Sequence, residues 1–414
     1  MSALPLSGIK VLDMARVLAG PSATQLLADL GADVIKIERP GKGDDSRIYG
    51  PPFLKDAEGN FVAGASPMYM SANRGKRSVA LDIASPEGQE VIRRLAADSD
   101  VLVENFKVGN LARYGLDYEN LRQVNPRLIY CSVTGFGQTG PYKDRGGYDP
   151  IAQAMSGFMS ITGFPDGHPG GGGPMKAGPS VADLVAGLYA ANAIQAALYY
   201  RDANGGEGQY IDISLLDTTV ALVAQFAAHY FMSGEVPARV GVRANGGTPG
   251  GGYKCADGDI LIAPGSQALY EKFCDALGLS ELKTDPRFVT NFDRVRHRKE
   301  LTDVIEPTIE ALPVAEMHSR MVAAGIPSSP VNDIAQVFAD AQVRARGLAQ
   351  EVAHPVAGKA TIVGNPIRFS VTPVIEDRVP PMLGQHTREV LRERLGMSDA
   401  ELDVLLNDRQ EAAQ

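Results

Sequence analysis

The chain has 414 residues, 44% hydrophobic and 21% charged. That length suggests two or three domains, and the composition excludes a disordered or fibrous protein. Forty Lys and Arg against 49 Asp and Glu leave a net charge of −9, which argues against general affinity for nucleic acid or for an anionic membrane while permitting local basic pockets. The three cysteines, Cys131, Cys255 and Cys274, match no CxxC or metal-ligand spacing, so neither a disulfide framework nor a zinc site is expected. The first residues lack a basic segment followed by an apolar run, so a cytoplasmic location is the expectation. Asp183, Asn192 and Gln195 in the apolar stretch around 181–200 fit a buried helix better than a membrane span.

In chain order, residues 9–15 read as a strand, 21–30 as a helix opened by Pro21 and stopped at Gly31, and 32–38 as a second strand, a βαβ unit. The pattern repeats: a strand at 78–83, a helix from Ser85-Pro86 to about 97, a strand at 101–106, a helix at 118–124 and a strand at 127–133. A long helix follows Pro179-Ser180 and ends at Asn204-Gly205-Gly206. It leads to a strand at 210–213 and one helix over 215–232. This alternation predicts an α/β fold with a Rossmann-like large domain, a mostly parallel sheet and helices on both faces. Beyond Gly234 the texture changes to a Gly/Pro-rich stretch at 245–252, a hairpin turning at Asp257-Gly258, and helices near 267–277, 298–311 and 314–324. The expectation is a large domain over 1–225 completed by 341–414, with a smaller α+β domain at 226–340. In the tail, short strands near 350–352 and 359–363 precede helices near 387–395 and 399–405.

The first βα turn, Ala15-Arg16-Val17-Leu18-Ala19-Gly20-Pro21, lacks the GxGxxG fingerprint, which makes an ordinary NAD enzyme a poor reading. It still offers a helix N-terminus to phosphate or carbonyl groups at the edge of the sheet where doubly wound folds bind ligands. The runs 39–47 and 73–77, together with Asn105-Phe106-Lys107 and Arg113, bring cations to loops at what should be the same edge, as an adenosine phosphate requires; each run alone also reads as a solvated loop. Ser180 and Asp183 have the spacing of a capping box, and the same position would hold an ionised carboxylate nucleophile at a helix start. The six histidines, at 168, 229, 297, 318, 354 and 386, form no HExxH or close pair, so metal or Ser-His-Asp chemistry has no visible support.

The series Val11-Leu12-Asp13, Ala19-Gly20-Pro21, 30–41, Asn73-Arg74-Gly75-Lys76-Arg77-Ser78, Val103-Glu104-Asn105-Phe106, 134–141, Ala182-Asp183, 205–209 and Pro381 to Thr387 resembles the family III CoA-transferases. That family includes formyl-CoA:oxalate, carnitine and succinyl-CoA:dicarboxylate transferases, and the chain looks similar to the succinyl-CoA:glutarate type among them. The resemblance implies two chains interlocked as a homodimer, no tightly bound cofactor, and coenzyme A with a small carboxylic acid as substrates. By position it makes Asp183 the catalytic carboxylate. It assigns Leu18, Ala19, Arg39, Leu81, Ala84, Asn105, Phe106, Arg113 and Tyr148 to the CoA site. Gly246, Gly247, Gly250, Gly251 and Gly252 become a loop that shields intermediates. Leu18 and Gly146 depart from the formyl-CoA enzyme, which has Gln and Lys there. The related α-methylacyl-CoA racemases place a His where this chain has Tyr148, whose pKa near 10 makes a poor base at neutral pH. A non-catalytic CoA-binding protein is the alternative of another class. Arg16, Arg47 and Arg243 are candidates to meet an acceptor's second carboxylate.

Overall fold

The computed structural model describes residues 4–244, 246–375 and 377–407. Asn245, in the expected glycine loop, and the first three residues lie outside this set. The chain divides into two compact units. The first comprises residues up to Phe158, Lys176–Ala228 and the segment from Gln342, and the second comprises Met159–Met175 and His229–Ala341.

The first unit is built on six parallel strands: β1 (Lys10–Asp13), β2 (Asp33–Glu38), β3 (Arg77–Ala80), β4 (Val101–Glu104), β5 (Ile129–Thr134) and β6 (Tyr210–Ser214), ordered β3-β2-β1-β4-β5-β6. Leu12 lies opposite Ile35 on one side and Leu102 on the other. The central strands are apolar on both faces because helices cover both. In chain order the helices up to β6 are α1 (Ala19–Asp29), α2 (Pro67–Ala72), α3 (Pro86–Ala97), α4 (Tyr118–Val124), α5 (Asp149–Met155), α6 (Phe158–Ile161) and α7 (Val181–Ala203), of which α6 falls almost wholly in the second unit. Val11, Val34, Val103 and Cys131 face α1 and α7, while Leu12, Ile35, Leu102 and Tyr130 face α3 and the C-terminal helices, as the two-residue period of a strand requires.

Alpha-7 is long and apolar enough to cross a membrane by length and composition. Here its Ala182, Ala186, Ala190 and Ile194 are buried in the core, and Gly187 lets it approach α1 closely: a Cβ there would lie 2.1 Å from Ser22 Oγ and 2.8 Å from the Ala19 carbonyl. The expected helix at 215–232 is two, α8 (Leu215–Leu222) and α9 (Ala224–Ser233), with a break at Val223 that no local signal announces. Strands β10 (Ala349–His354) and β11 (Gly358–Val363) pair antiparallel in the returning segment. Val390, Leu391, Leu402 and Leu405 of the two closing helices are buried in the same core as Leu12, Ile35 and Leu102, and the first of these helices packs against β3 and α3.

In the second unit β7 (Gly251–Cys255), β8 (Gly258–Ile262) and β9 (Ser328–Pro330) form an antiparallel sheet. Its core is Tyr253, Ile260 and Ile262 against Tyr270, Phe273, Leu301, Ile305 and Met317 from α10 (Gln267–Leu277), α12 (Arg298–Glu310) and α13 (Val314–Ala323). Three shorter helices complete the order: α11 (Asn291–Arg296), α14 (Ile334–Ala339) and α15 (Ala341–Ala345), ahead of the closing α16 (Thr387–Leu395) and α17 (Asp399–Asn407). Residues 159–175, which periodicity placed in the large domain, belong to this unit: Arg239 donates to the carbonyls of Phe164 and Ser160, and Gly241 N–H donates to the Gly163 carbonyl.

Candidate active site

The strand order reverses between β1 and β4, which opens a crevice beyond their carboxyl ends. The β1–α1 turn forms its floor. Asn105, just after β4, clamps this turn from both sides: its Oδ1 accepts from Arg16 N–H at 2.9 Å and its Nδ2 donates to the Arg16 carbonyl at 2.7 Å. Val17 N–H donates to Asp44 Oδ1 at 3.0 Å. These contacts hold Val17 at φ +70°, the only non-glycine positive φ among the described residues and a costly conformation for a β-branched side chain. Gly20 is obligatory behind the turn, since a Cβ would lie 2.3 Å from that of Ala15.

Beneath the turn lies a buried charge network. Lys36 Nζ meets Asp44 at 2.8 Å and donates to the Ala15 carbonyl at 2.7 Å. Lys76 Nζ meets Asp13 at 2.9 Å and donates to the Pro21 carbonyl at 2.9 Å. Arg47 grips both oxygens of Glu38 at 2.7 Å and lies over the Tyr69 ring. Burial opposes charge throughout, pushing Lys76 down to about 8 despite Asp13. Asp44 nevertheless stays at about 2, held there by Lys36 and the Ser46 N–H against the effect of burial. The network therefore fixes the turn and does not wait for a ligand. Arg74, paired with Asp29 at 2.5 Å, and Arg77, paired with Asp33 at 2.6 Å, are likewise committed. The reading of 73–77 and Arg47 as phosphate-facing loop cations is corrected accordingly.

Asp183 is in the first turn of α7. The capping box expected from Ser180 is not formed. Asp149, at the start of α5, takes its place: Oδ1 accepts from Ala182 N–H at 2.8 Å and Oδ2 from Gln153 Nε2 at 2.7 Å. Asp149 is carried there by a loop whose Gly147 packs on Gly135 so closely that a Cβ on Gly147 would lie 2.5 Å from Gly135 Cα. Asp183 is thereby left part-buried, with no side-chain hydrogen bond or ion pair among the described residues. Burial and the neighbouring Asp149 push its pKa from 3.8 up to about 7. The α7 dipole acts in the opposite sense, but its 0.3–1 kcal/mol is less than one pKa unit.

A cavity of about 210 Å³ is lined by Asp183, Leu18, Ala19, Asn105, Phe106 and Tyr148, together with Arg16, Lys107, Lys143 and Arg145. A second cleft of about 240 Å³, lined by Arg39, Leu81 and Ala84, meets it at Arg16 and Phe106. Arg16 lies over Phe106 at 4.9 Å. Of the residues expected at the CoA site, Arg113 lines neither space; it lies on Tyr114 at 4.5 Å. Gly251 and Gly252 are not loop residues but strand residues of β7, pressed against Val242, so that the loop is limited to the segment before them. These glycines belong to the second unit. Arg243, also in the second unit, pairs with Glu306. Sequence reasoning missed Asp149, Lys143 and Arg145. It also missed Glu104, a carboxyl that burial pushes up to about 7 while the Phe106 N–H, at 2.7 Å, and Ser132 donate to it. No cluster of three or more His, Cys, Asp or Glu able to hold a metal occurs among the described residues.

A part-buried carboxylate with no hydrogen-bond partner among the described residues, beside a strained turn at the switch point of a parallel sheet, makes this crevice the candidate active site. The sequence matches the profile of CoA-transferase family III over residues 6–387. The chain is 46% identical over 389 residues to a succinate–glutarate CoA-transferase of Agrobacterium fabrum, covering 94% of this chain and 95% of that one. It is 41% identical to the human succinyl-CoA:glutarate CoA-transferase, covering 97% and 89%. A crystal structure of a CAIB/BAIF family protein from Brucella suis superimposes with a TM-score of 0.83 at 42% identity, covering 95% of this chain and 100% of that one. The protein belongs to the family III CoA-transferases.

Proposed function

We propose that the protein moves CoA from an acyl-CoA, with succinyl-CoA as donor, to a small dicarboxylic acid, and that Asp183 is the nucleophile. The observation that carries this reading is the unpartnered Asp183 carboxylate on the wall of the cavity that also contains the β1–α1 turn. In this reading the adenosine end of CoA occupies the cleft of Arg39, Leu81 and Ala84, and the pantetheine arm passes Arg16 and Phe106 to reach Asp183. The names of the succinate–glutarate relatives support the choice of acids.

The chemistry balances without a titrating partner. An Asp183 oxygen attacks the thioester carbonyl, the C–S bond breaks, and a mixed anhydride and CoA thiolate result. The thiolate attacks the aspartyl carbonyl, expelling the donor acid as its carboxylate and leaving an aspartyl-CoA thioester. The acceptor carboxylate attacks that thioester and releases the thiolate again. The thiolate then takes the acceptor's acyl carbon and restores the Asp183 carboxylate. No proton is gained or lost, so a histidine base has no task. The protein works as an interlocked dimer; the exposed Leu188, Tyr199 and Tyr200 of α7 offer it apolar surface.

Incubation with succinyl-CoA and a panel of acids, followed by intact-protein mass spectrometry, tests the proposal. A hydroxylamine-sensitive CoA adduct, absent from Asp183→Ala, together with a new acyl-CoA, is the expected result. Binding without exchange, with Asp183→Ala behaving like the parent, would favour the racemase or non-catalytic reading.

A further inference from the structure

The cations on the wall of the Asp183 cavity differ in how they are engaged. Arg16 is compensated by Asp45 at 3.2 Å. Lys107, Lys143 and Arg145 line the same cavity and make no ion pair among the described residues. Lys107 adjoins Phe106, where the cavity joins the Arg39 cleft. Lys143 and Arg145, on the loop between β5 and α5, line the Asp183 cavity and not the Arg39 cleft. Asp144, between them, is not on the cavity wall.

This loop is held in a definite shape. Its far end is fixed by the Gly135–Gly147 approach and by the Asp149 cap on α7. Its middle is ordered by stacking: Phe136 meets Tyr142 edge-on at 5.8 Å, and Arg145 lies over the Tyr142 ring at 3.9 Å. Stacking engages the face of the guanidinium and leaves its N–H edge for an anion. The other cations near the crevice, Lys36, Arg47, Arg74 and Lys76, are already committed to buried carboxylates.

We infer that Lys143 and Arg145 form the subsite for the second carboxylate of a dicarboxylic acid whose first carboxylate reacts at Asp183. The inference rests on the transfer reading above and names its selectivity device. CoA phosphates are the competing anions. They belong at the adenosine end, a pantetheine arm away from the sulfur, whereas these two cations share a cavity with the reacting carboxylate. The same subsite serves the succinyl group of the donor and the incoming diacid in turn.

The test compares glutarate with valerate as acceptors. Butyryl-CoA is the donor, so that the donor carries no second carboxylate. Lys143→Gln, Arg145→Gln and the double variant are measured beside the parent, with calorimetric binding of free CoA as a separate readout. Each single change should lower the glutarate-to-valerate ratio of kcat/KM about tenfold, and the double change about a hundredfold. Arg145→Lys should restore part of the ratio, and CoA affinity should stay within about twofold throughout. Equal losses for both acids, weakened CoA binding, or a parent enzyme indifferent between the two acids would each overturn the assignment. Adduct formation by the parent is also measured with succinyl-CoA as donor. A parent that forms no adduct from succinyl-CoA refutes the transfer reading itself, and this inference with it, in a way distinguishable from failure of the subsite alone.

Discussion

In the proposed mechanism, attack by Asp183 on a thioester requires its ionised form, and burial makes that form scarce below neutrality. Burial is the larger cause and Asp149 the smaller, and together they place the pKa at about 7. The ionised fraction is then roughly a tenth at pH 6, a half at pH 7 and nine-tenths at pH 8. Adduct formation at sub-saturating acyl-CoA reports the free enzyme, so its second-order rate constant should rise about tenfold between pH 6 and pH 8. An aspartate with an ordinary pKa would give a flat profile over that range. Rapid quenching followed by intact-protein mass spectrometry reads the rate directly. Asp149→Asn removes the like charge while keeping an oxygen for the Ala182 N–H. Its midpoint should move to lower pH yet remain above the ordinary carboxyl value, because burial persists. The new amide must face Gln153 Nε2, and a flip of Gln153 would forfeit the bond that its Oε1 accepts from Ala177 N–H at 2.8 Å, so a stability loss of about 1–3 kcal/mol should accompany the shift. A flat parent profile, or a midpoint that rises in Asp149→Asn, would refute the electrostatic argument.

Four further outcomes follow from the geometry. Folded Asp183 holds its proton more tightly than the unfolded chain does, so its contribution to stability falls as pH climbs from about 4 to about 7. Asp183→Asn should therefore be more stable than the parent by about 1–3 kcal/mol at pH 8, after discounting for partial exposure, and no more stable at pH 4, as read by thermal melts. Arg47→Ala strands the buried Glu38 carboxylate and should cost about 3–5 kcal/mol in urea unfolding; a cost under about 0.5 kcal/mol would mean that Arg47 is a surface cation after all. Gly187→Ala forces a Cβ against the Ala19 carbonyl and should destabilise by about 1–3 kcal/mol. Val17→Gly releases about 1–2 kcal/mol of left-handed strain at an entropic cost of about 0.5–1 kcal/mol. It should leave stability unchanged or slightly raised while slowing adduct formation, and a clear loss of stability would show that the turn is unstrained.

The parallel sheet was legible because its strands are short apolar runs and because Pro21 and Gly31 bracket α1 and Ser85-Pro86 opens α3. Helices 118–124, 267–277 and 387–395 have the bounds that periodicity indicates. The partners of the charged loops were not legible. Arg47 and Glu38 are nine residues apart, but Arg74 and Asp29 are 45 apart and Lys76 and Asp13 are 63 apart. No local window shows that each cation has a buried carboxylate waiting across a strand. The capping-box reading failed for the same reason: Ser180 and Asp183 have the right spacing, but Asp149 arrives from 33 residues upstream and takes the helix end.

The first turn shows how a site can hide from a motif search. A dinucleotide-binding turn uses glycines because the backbone must adopt a left-handed conformation and come close to its ligand. Here one glycine, Gly20, meets the need for close packing, and Val17 adopts the left-handed conformation with a side chain that disfavours it. The strain is tolerated because Asp44, itself locked by Lys36, holds the Val17 N–H, and Asn105 holds both backbone groups of Arg16. A local glycine requirement has thus become a requirement for residues on or just after two other strands, β2 and β4. Asn105, expected to touch CoA, spends an acceptor and a donor of its carboxamide on the turn, so it shapes the CoA site whether or not it also touches the ligand. The absence of GxGxxG is therefore evidence against a nicotinamide cofactor but not against a phosphate-bearing ligand at this turn. The same carboxyl-edge crevice remains, built by tertiary contacts that no spacing rule encodes.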